Sequence, residues 1–163
     1  MAKHETPARS DEWYTPAYVF DALNTRFDLD VAYPAHANPE VPANHFLCSN
    51  SLETKWRGFV WMNPPFGRRN GLAPWLNKFF EHNNGVALVP DRTSAPWWQQ
   101  YAPQAWAILF AAPKIHFIPG PGVTASSPAQ GTCLLAAGHA GMNALCSARD
   151  RGLGVLFYPW RST

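Results

Sequence analysis

The sequence predicts a three-layer α/β domain, in which helices cover both faces of a central sheet. Two all-apolar runs, at residues 59–62 and 86–90, are typical of strands that are buried on both faces. Between them, residues 73–82 place Trp, Leu and Phe side chains on one face of a helix. Strands that alternate with helices in this way favour an α/β sheet over a purely helical or purely β fold.

Length and composition fit one folded domain. The chain has 163 residues, of which 47% are hydrophobic and 15% charged, so it can form a full core and disorder is excluded. Sixteen prolines and eleven glycines without a period indicate many short loops between the elements. We expect a flexible polar leader at residues 1–10 and a single domain at residues 11–163.

The sequence predicts no membrane span, no secretory signal and no metal site. No apolar run approaches the roughly 20 residues of a membrane-spanning helix, and the first residues are too polar for a signal peptide, so we expect a soluble cytoplasmic protein. The cysteines and histidines lack the CxxC, HxxxH and HExxH spacings of metal sites. The formal net charge of +2 is compatible with a nucleic-acid partner but does not by itself indicate one.

The first third of the chain is predicted to hold one helix and two strands. Residues 17–23 form the helix, with Thr15 as its N-cap and Pro16 at its first position. Residues 27–33 alternate apolar and acidic side chains, which predicts a strand with Asp30 near its carboxyl end. Ligands bind at that end in open α/β sheets, so Asp30 is a candidate partner for a ribose hydroxyl or a cationic cofactor group. The alternative is a loop acid exposed to water. A short strand is predicted at residues 45–48.

The later elements are apolar runs separated by turns rich in Gly, Pro and Asn. A short helix is predicted at residues 95–101, with Ser94 as its cap, and a longer one at residues 141–149. Further strands are predicted at residues 105–110, 115–118, 132–137 and 155–158. Two loops lie among these elements, a basic one at residues 67–71 and a loop rich in Pro, Gly and Ser at residues 119–130.

The turn Asn63-Pro64-Pro65-Phe66, which follows the first all-apolar run, carries the strongest chemical signal. Two prolines remove two backbone N–H donors, so the turn presents carbonyl acceptors and no amides at these positions. With the Asn63 amide oxygen and the Phe66 ring, it could hold a planar, amine-bearing group through two hydrogen bonds and one aromatic face. The alternative is an ordinary strand-ending turn, for which Asn-Pro is a common start.

Two further places could serve an anionic ligand. A helix that begins at Thr15 offers unpaired N–H groups and a positive dipole to a carboxylate or phosphate. Thr15 could instead only cap the helix, with Trp13 and Tyr14 packed beside it. Arg68 and Arg69 follow the turn and could contact phosphates, and solvated loop charges are the alternative.

Four separated stretches form a recognisable set. They lie at residues 11–16, 29–32, 56–67 and 88–98, and they contain the sequences EWYTP, LDVA, NPPF and LVPDRT. Together they resemble the phage-type, Dam-like DNA N6-adenine methyltransferases, over roughly residues 11–137.

This resemblance implies a Rossmann-like fold with a mostly parallel central sheet. It also implies an enzyme that uses S-adenosylmethionine to methylate the N6 amine of adenine at specific sites in DNA, with the base flipped out of the duplex. The catalytic motif is then Asn63, Pro64, Pro65 and Phe66. The residues near the cofactor are Trp13, Tyr14, Thr15, Pro16, Asp30 and Asn50. The residues that contact the DNA are Arg68, Arg69 and Arg92.

The chain departs from the family pattern in three places. The segment at residues 49–52 is Ser-Asn-Ser-Leu, whereas family members usually carry an acidic pair before Gly-Leu at the cofactor adenine. Gly120 is followed by Pro121, where the family shows Gly-Arg, and Asp91 stands where a small residue is more usual. These departures leave open a nucleic-acid-binding module that has lost methyl transfer.

The acceptor turn does not by itself identify the amine. Cytosine N4, an adenine in RNA or a glutamine side-chain amide in a protein would fit it equally. Because no large target-recognition region is present, the loops at residues 67–71 and 119–130 are expected to provide any sequence specificity.

Overall fold

A computed structural model describes residues 13–34, 40–66, 71–121 and 130–160. The expected leader at residues 1–10 lies outside the described residues. The helices are α1 (Ala17–Leu23), α2 (Ala73–His82), α3 (Pro96–Tyr101) and α4 (Gly138–Asp150), and a 3-10 turn follows α3 at Ala102–Gln104. The strands are β1 (Trp13–Tyr14), β2 (Phe27–Asp30), β3 (Ala43–Phe46), β4 (Val60–Met62), β5 (Gly85–Pro90), β6 (Ala107–Ala111), β7 (Ile118–Pro119), β8 (Thr132–Ala137) and β9 (Gly154–Phe157).

Seven of these strands form one mixed sheet in the order β3-β2-β4-β5-β8-β6-β9. The pairings from β3 to β5 are parallel, and those from β5 to β9 are antiparallel. β6 therefore runs in the same direction as β2 to β5, while β8 and β9 run in the opposite direction. The carboxyl ends of β2, β4 and β5 consequently lie side by side at one edge of the sheet.

Helices cover both faces of this sheet and bury two hydrophobic clusters. Successive strand residues point to opposite faces. In β5, Val86 and Leu88 join one cluster, while Ala87 and Val89 join the other. Side chains of α1 and α4 complete the first cluster, and those of α2 and α3 complete the second. The predicted α/β architecture with helices on both faces is therefore confirmed.

Most predicted elements are present, with shifted ends. The strand predicted at residues 45–48 occurs two residues earlier, as β3. The helix predicted at residues 141–149 begins three residues earlier, at Gly138, because α4 follows β8 without a loop. Gly138 makes this abrupt change of direction with φ of 74°, a conformation that glycine adopts without steric cost.

Both predicted side-chain N-caps are wrong. Pro16 occupies the cap position of α1, and Ala95 occupies that of α3, and neither helix has a side-chain cap hydrogen bond. Thr15 and Ser94 therefore cap nothing. The Pro16 carbonyl oxygen accepts the Val19 N–H at 3.1 Å, so the backbone closes the first turn of α1 by itself.

The strand predicted at residues 115–118 is also largely wrong, since only Ile118 lies in a strand. β7 pairs antiparallel with β1, with Trp13 opposite Pro119 and Tyr14 opposite Ile118, in a separate two-stranded sheet. Ile115 and Phe117 are buried in the first cluster. The apolar alternation that predicted a strand thus belongs to a loop that packs on the core.

Candidate active site

Neighbouring parallel strands bring polar residues to one edge of the main sheet. β2 ends at Asp30, and β4 ends directly before Asn63. In the β2–β4 register Asp30 lies opposite Trp61, so Asn63 is two residues further out along the next strand. Next to β4, β5 ends directly before Asp91. The structure therefore places Asp30 and Asn63 on neighbouring strands at the same edge of the sheet.

The Asn63-Pro64-Pro65-Phe66 turn leaves this edge from β4. Asn63 is half-buried, Pro64 is buried and Pro65 is exposed. Phe66 is half-buried and packs against the cluster of α2 and α3. Because the prolines carry no N–H, their backbone contributes only carbonyl acceptors. The turn thus combines hydrogen-bond acceptors with a partly exposed aromatic ring.

Asn63 contacts the N-terminal segment through its side-chain nitrogen. Nδ2 lies 3.4 Å from the Trp13 carbonyl oxygen and 3.3 Å from Thr15 Oγ1. A backbone carbonyl oxygen can only accept a hydrogen bond, so the NH₂ group and not the amide oxygen faces Trp13. The side-chain hydrogen bonds found within the described ranges leave Asn63 Oδ1 without a donor. Oδ1 is the side-chain acceptor that remains.

Of the predicted cofactor residues, Trp13 and Tyr14 form β1 of the two-stranded sheet, and Thr15 and Pro16 connect β1 to α1. Trp13 and Tyr14 are half-buried, while Thr15 and Pro16 are buried. Two of them, Trp13 and Thr15, contact Asn63. The contact between Thr15 and Asn63 spans 48 positions of sequence, and no local pattern indicated it.

Asp30 is a buried carboxylic acid, 3% exposed, whose Oδ1 accepts the Ala32 N–H at 2.9 Å. Burial raises the pKa of Asp30 from its ordinary value of 3.8 to about 7, and the Ala32 N–H opposes that rise. Desolvation prevails because one backbone donor does not replace the water shell of a carboxylate. Asp30 is therefore not an exposed loop acid, and carboxyl groups perturbed in this way are concentrated at functional sites.

Asn50, the predicted contact for the cofactor adenine, lies in a turn that follows β3. The Leu47 N–H donates to the Asp30 carbonyl oxygen at 2.8 Å, so the chain leaving β3 runs beside the end of β2. Asn50 has φ of 52°, its side chain is exposed, and its carbonyl oxygen accepts the N–H groups of Glu53 and Thr54. Asn is one of the few residue types that tolerate this left-handed conformation. The contact with Asp30 is made by Leu47, three residues before Asn50, and the cofactor contact of Asn50 stays a prediction.

Trp56 and Lys78 hold this turn, and no sequence pattern had assigned either side chain this role. Trp56 Nε1 donates to the carbonyl oxygen and Oγ of Ser51, at 2.9 and 3.1 Å. Lys78 Nζ, on α2, donates to the carbonyl oxygens of Leu52 and Thr54, both at 2.6 Å, and lies 5.1 Å from the centre of the Trp56 ring. The segment that departs from the family pattern is therefore tied to the body of the domain.

Arg92 lies two residues beyond β5, and Arg68 and Arg69 lie outside the described residues. Arg92 is exposed and donates from Nε and Nη2 to Gln130 Oε1, at 3.0 and 2.6 Å. The preceding residue, Asp91, packs its carboxylate where a side chain on Gly131 would collide with it. The absence of a side chain at position 131 explains how an acidic residue fits there.

Thr132, the first residue of β8, is a site candidate that the sequence analysis missed. It pairs with Pro90, the last residue of β5, and so lies towards the same edge as Asn63. It is 2% exposed, and within the described ranges its Oγ1 has no hydrogen-bond partner. Leaving a buried hydroxyl without a partner costs about 1–3 kcal/mol. Thr15, Asp30 and Thr132, three of the four buried polar residues of the described chain, lie at or beside the strand ends.

Within the described ranges, the two surface clefts, the arrangement of potential metal ligands and the helices indicate no alternative functional site. Two surface clefts of about 360 and 290 Å³, one beside Tyr18 and one beside Trp98, contain none of these residues. Within the described ranges, no group of three or more His, Cys, Asp or Glu side chains could hold a metal ion. The helices of those ranges are all too short or too polar to cross a membrane.

The fold and the edge together define a class of protein. It is an α/β protein in which hydrogen-bond acceptors, a half-buried aromatic ring and a buried carboxyl group meet at the carboxyl ends of parallel strands. The family model for DNA N-6-adenine-methyltransferase (Dam) matches residues 3–137, which is most of the chain. The chain therefore belongs to the Dam family of DNA N-6-adenine-methyltransferases.

One curated relative is the DNA N-6-adenine-methyltransferase of Escherichia phage T1, which is 29% identical over 107 residues. The alignment covers 61% of this chain and 44% of the relative, so the chain spans less than half the length of that protein. No solved structure matches the chain.

Proposed function

We propose that the chain transfers a methyl group from S-adenosylmethionine to the N6 amine of adenine in DNA. The observation that carries the proposal is the orientation of Asn63 at the strand-end edge, where its NH₂ group faces Trp13 and Thr15 and Oδ1 remains as an acceptor. Family membership supports adenine in DNA as the source of the amine. The printed name of the phage T1 relative supports the same substrate.

The turn fits the chemical difficulty of this reaction. The N6 amine is a weak nucleophile because its lone pair is delocalised into the purine ring. Hydrogen bonds from its two N–H groups to Asn63 Oδ1 and the Pro64 carbonyl oxygen would favour a pyramidal nitrogen with an available lone pair. Acceptors held in place by the fold supply preorganised electrostatic stabilisation and align the reacting atoms.

The methyl carbon would come from S-adenosylmethionine when it is bound, with the C–N bond forming as the C–S bond breaks and the electron pair of that bond staying on sulfur. The methylated nitrogen is positively charged and acidic, so its proton can leave to water and the chain needs no strong base. Phe66 would stack on the base, which is worth about 1–3 kcal/mol. In duplex DNA the adenine must first be flipped out of the stack.

The residues at the edge fit the cofactor. Asp30 is buried and has one backbone donor among the described residues, so hydroxyl or ammonium groups of S-adenosylmethionine would stabilise its carboxylate. The parallel strands β2, β4 and β5 end together at this edge, and ligands bind at this edge in Rossmann-like sheets. The parallel arrangement of these strands supports the assignment of a Rossmann-like fold. Trp13, Tyr14 and Asn50 are proposed to complete the cofactor site from the adjoining segments.

The DNA side of the proposal rests on basic residues. Arg92 lies beyond β5 and is exposed, and Arg68 and Arg69 follow the catalytic turn in sequence. Such residues neutralise phosphates and position the duplex without reading its sequence. The loops at residues 67–71 and 119–130 are proposed to select the site, and a DNA substrate would place the chain in the cytoplasm of a bacterial host.

Product analysis tests the proposal directly. The purified chain is incubated with methyl-labelled S-adenosylmethionine and duplex DNA, RNA or protein, with Asn63→Ala as the matched inactive control. Mass spectrometry of the digested products should find the label in N6-methyladenine from DNA, and far less of it with the control. A label in N4-methylcytosine, in RNA or in glutamine would refute adenine in DNA as the substrate.

Calorimetry with S-adenosylmethionine covers the remaining alternative. A chain that binds DNA but neither binds the cofactor nor transfers a methyl group would be a nucleic-acid-binding module. Single-base sequencing of methylation in DNA from expressing cells would then identify the recognised site of an active enzyme.

A further inference from the structure

We infer that Thr15 is a positioning residue, whose hydroxyl oxygen, together with the Trp13 carbonyl oxygen, fixes the side-chain amide of Asn63 so that Oδ1 faces the reacting amine. This inference rests on the proposed function and deepens it. It gives Thr15 a role in the transfer step that neither an N-cap nor a cofactor contact provides.

A free asparagine side chain can adopt two orientations of its amide group. The oxygen and nitrogen of an amide have nearly the same shape, so rotation by 180° exchanges an acceptor for a donor. A donor at the position of Oδ1 would point towards the N–H groups of the amine and repel them. Transfer therefore requires one of the two orientations, and half of the population would be inactive if both were equally stable.

Two contacts of Asn63 Nδ2 select one of these orientations. Nδ2 lies 3.4 Å from the Trp13 carbonyl oxygen, which has no proton to donate. In the reversed orientation Oδ1 would face that carbonyl oxygen, and two acceptors would repel each other. The second contact, 3.3 Å to Thr15 Oγ1, occupies the other proton of the NH₂ group.

The residues that hold the Asn63 amide are themselves fixed by the fold. Thr15 is 4% exposed, so its side chain is packed in place. Trp13 belongs to β1, which pairs with β7, so its carbonyl oxygen is carried on a hydrogen-bonded strand. The amide is therefore oriented before any ligand arrives, which is the condition for preorganised catalysis.

The test compares three variants of the full chain. Thr15→Val keeps the shape of the side chain and removes the hydroxyl, Thr15→Ser keeps the hydroxyl, and Thr25→Val is the matched control away from the edge. With saturating S-adenosylmethionine and DNA, Thr15→Val should lower the single-turnover rate about 3- to 10-fold, the size expected for one neutral hydrogen bond. The dissociation constant for S-adenosylmethionine should stay within about 2-fold, and Thr15→Ser should restore the rate.

Two results would contradict the inference. If Thr15→Val weakens cofactor binding and leaves the saturated rate unchanged, Thr15 is a cofactor contact and the inference is wrong. If neither quantity changes, the hydroxyl has no role and the inference is also wrong.

A second measurement does not depend on activity. The Asn63 side-chain NH₂ signals, assigned in NMR spectra by their loss in Asn63→Ala, should be shifted and slow in hydrogen exchange in the wild type and in Thr15→Ser, and should exchange faster in Thr15→Val. Equal exchange in all three would refute the inference even if transfer is observed. A wild type that shows the protected amide but methylates nothing would refute the proposed function and the role of Thr15 in transfer, while still showing that Thr15 orients the Asn63 amide.

Discussion

Asn63 and Asp30 lie at the ends of neighbouring parallel strands. They differ in how many hydrogen-bond partners the protein provides for their side chains. Asn63 is neutral, and two protein oxygens accept from its NH₂ group. Asp30 is ionisable and more deeply buried, and one backbone N–H donates to its carboxyl group. Among the described residues, the Asn63 NH₂ group has two acceptors, whereas the Asp30 carboxyl group has one backbone donor, and burial raises the pKa of Asp30 to about 7.

This difference separates two kinds of site. A group that must present a fixed acceptor to a transition state gains from being oriented in advance. A buried group that lacks hydrogen-bond partners favours ligand binding, because the ligand then supplies the missing hydrogen bonds. Asn63 fits the first description, and Asp30 fits the second.

The largest expected effect is on the Asn63 side of the comparison. Asn63→Ala removes the oriented acceptor and should lower the rate of methyl transfer about 100- to 1,000-fold, the range found when one preorganised stabilising group is deleted. Affinity for S-adenosylmethionine, measured by calorimetry, should remain near that of the wild type. Transfer at the wild-type rate would show that the Asn63 amide takes no part in the reaction.

The next effect concerns Asp30 and its pH dependence. Asp30→Asn removes the charge and should weaken binding of S-adenosylmethionine about 10-fold at pH 8, since hydrogen bonds to charged groups contribute more than neutral ones. In the wild type, binding should strengthen as the pH rises through about 7, because the carboxylate form then accepts donors from the ligand. Calorimetry at pH 6, 7 and 8 measures both, and an equal pH dependence in the variant would contradict the role of Asp30.

The same group should affect the stability of the free protein. The folded-state pKa of Asp30, about 7, lies above its ordinary value of 3.8, so its contribution to stability is fully present below pH 4 and is lost as the pH rises through 7. The melting temperature of the wild type should therefore fall more between pH 5 and pH 8 than that of Asp30→Asn. Parallel curves for the two proteins would show that the carboxyl group is not desolvated.

Phe66 is expected to affect binding of the base and not binding of the cofactor. Phe66→Ala should raise the KM for DNA about 5- to 100-fold, because stacking of a base on an aromatic ring is worth about 1–3 kcal/mol. Cofactor affinity should be nearly unchanged. Phe66→Leu is the control, since it keeps apolar packing against the cluster of α2 and α3 while removing the ring. If the leucine variant binds DNA as the wild type does, Phe66 acts through packing alone.

The smallest expected effect compares two buried threonines. Thr132→Val replaces a hydroxyl that has no partner among the described residues, so stability should be unchanged or raised by up to about 1 kcal/mol. Thr15→Val removes the oxygen that accepts from Asn63 and should lower stability by a similar amount. Thermal unfolding measures both, and a large loss with Thr132→Val would show that its hydroxyl is bonded in solution.

Sequence patterns located the central strands β4, β5 and β8 well, because apolar runs such as residues 86–90 are local and indicate burial directly. They failed at the caps of α1 and α3, where a proline and the backbone close the first turn without Thr15 or Ser94. They also missed Lys78 and Thr132, whose roles depend on which segments the fold brings near them. Position in the sequence holds little information about such neighbours.

The residues themselves establish the chemistry of the Asn63-Pro64-Pro65-Phe66 turn, because prolines lack N–H groups wherever the chain places them. They also establish the α/β alternation and the polar residues that end the apolar runs. The direction of the Asn63 amide, the desolvation of Asp30 and the antiparallel position of β8 between β5 and β6 depend on the folded arrangement. Each of these results from contacts between segments far apart in the chain, and periodicity within one segment does not specify its distant partners.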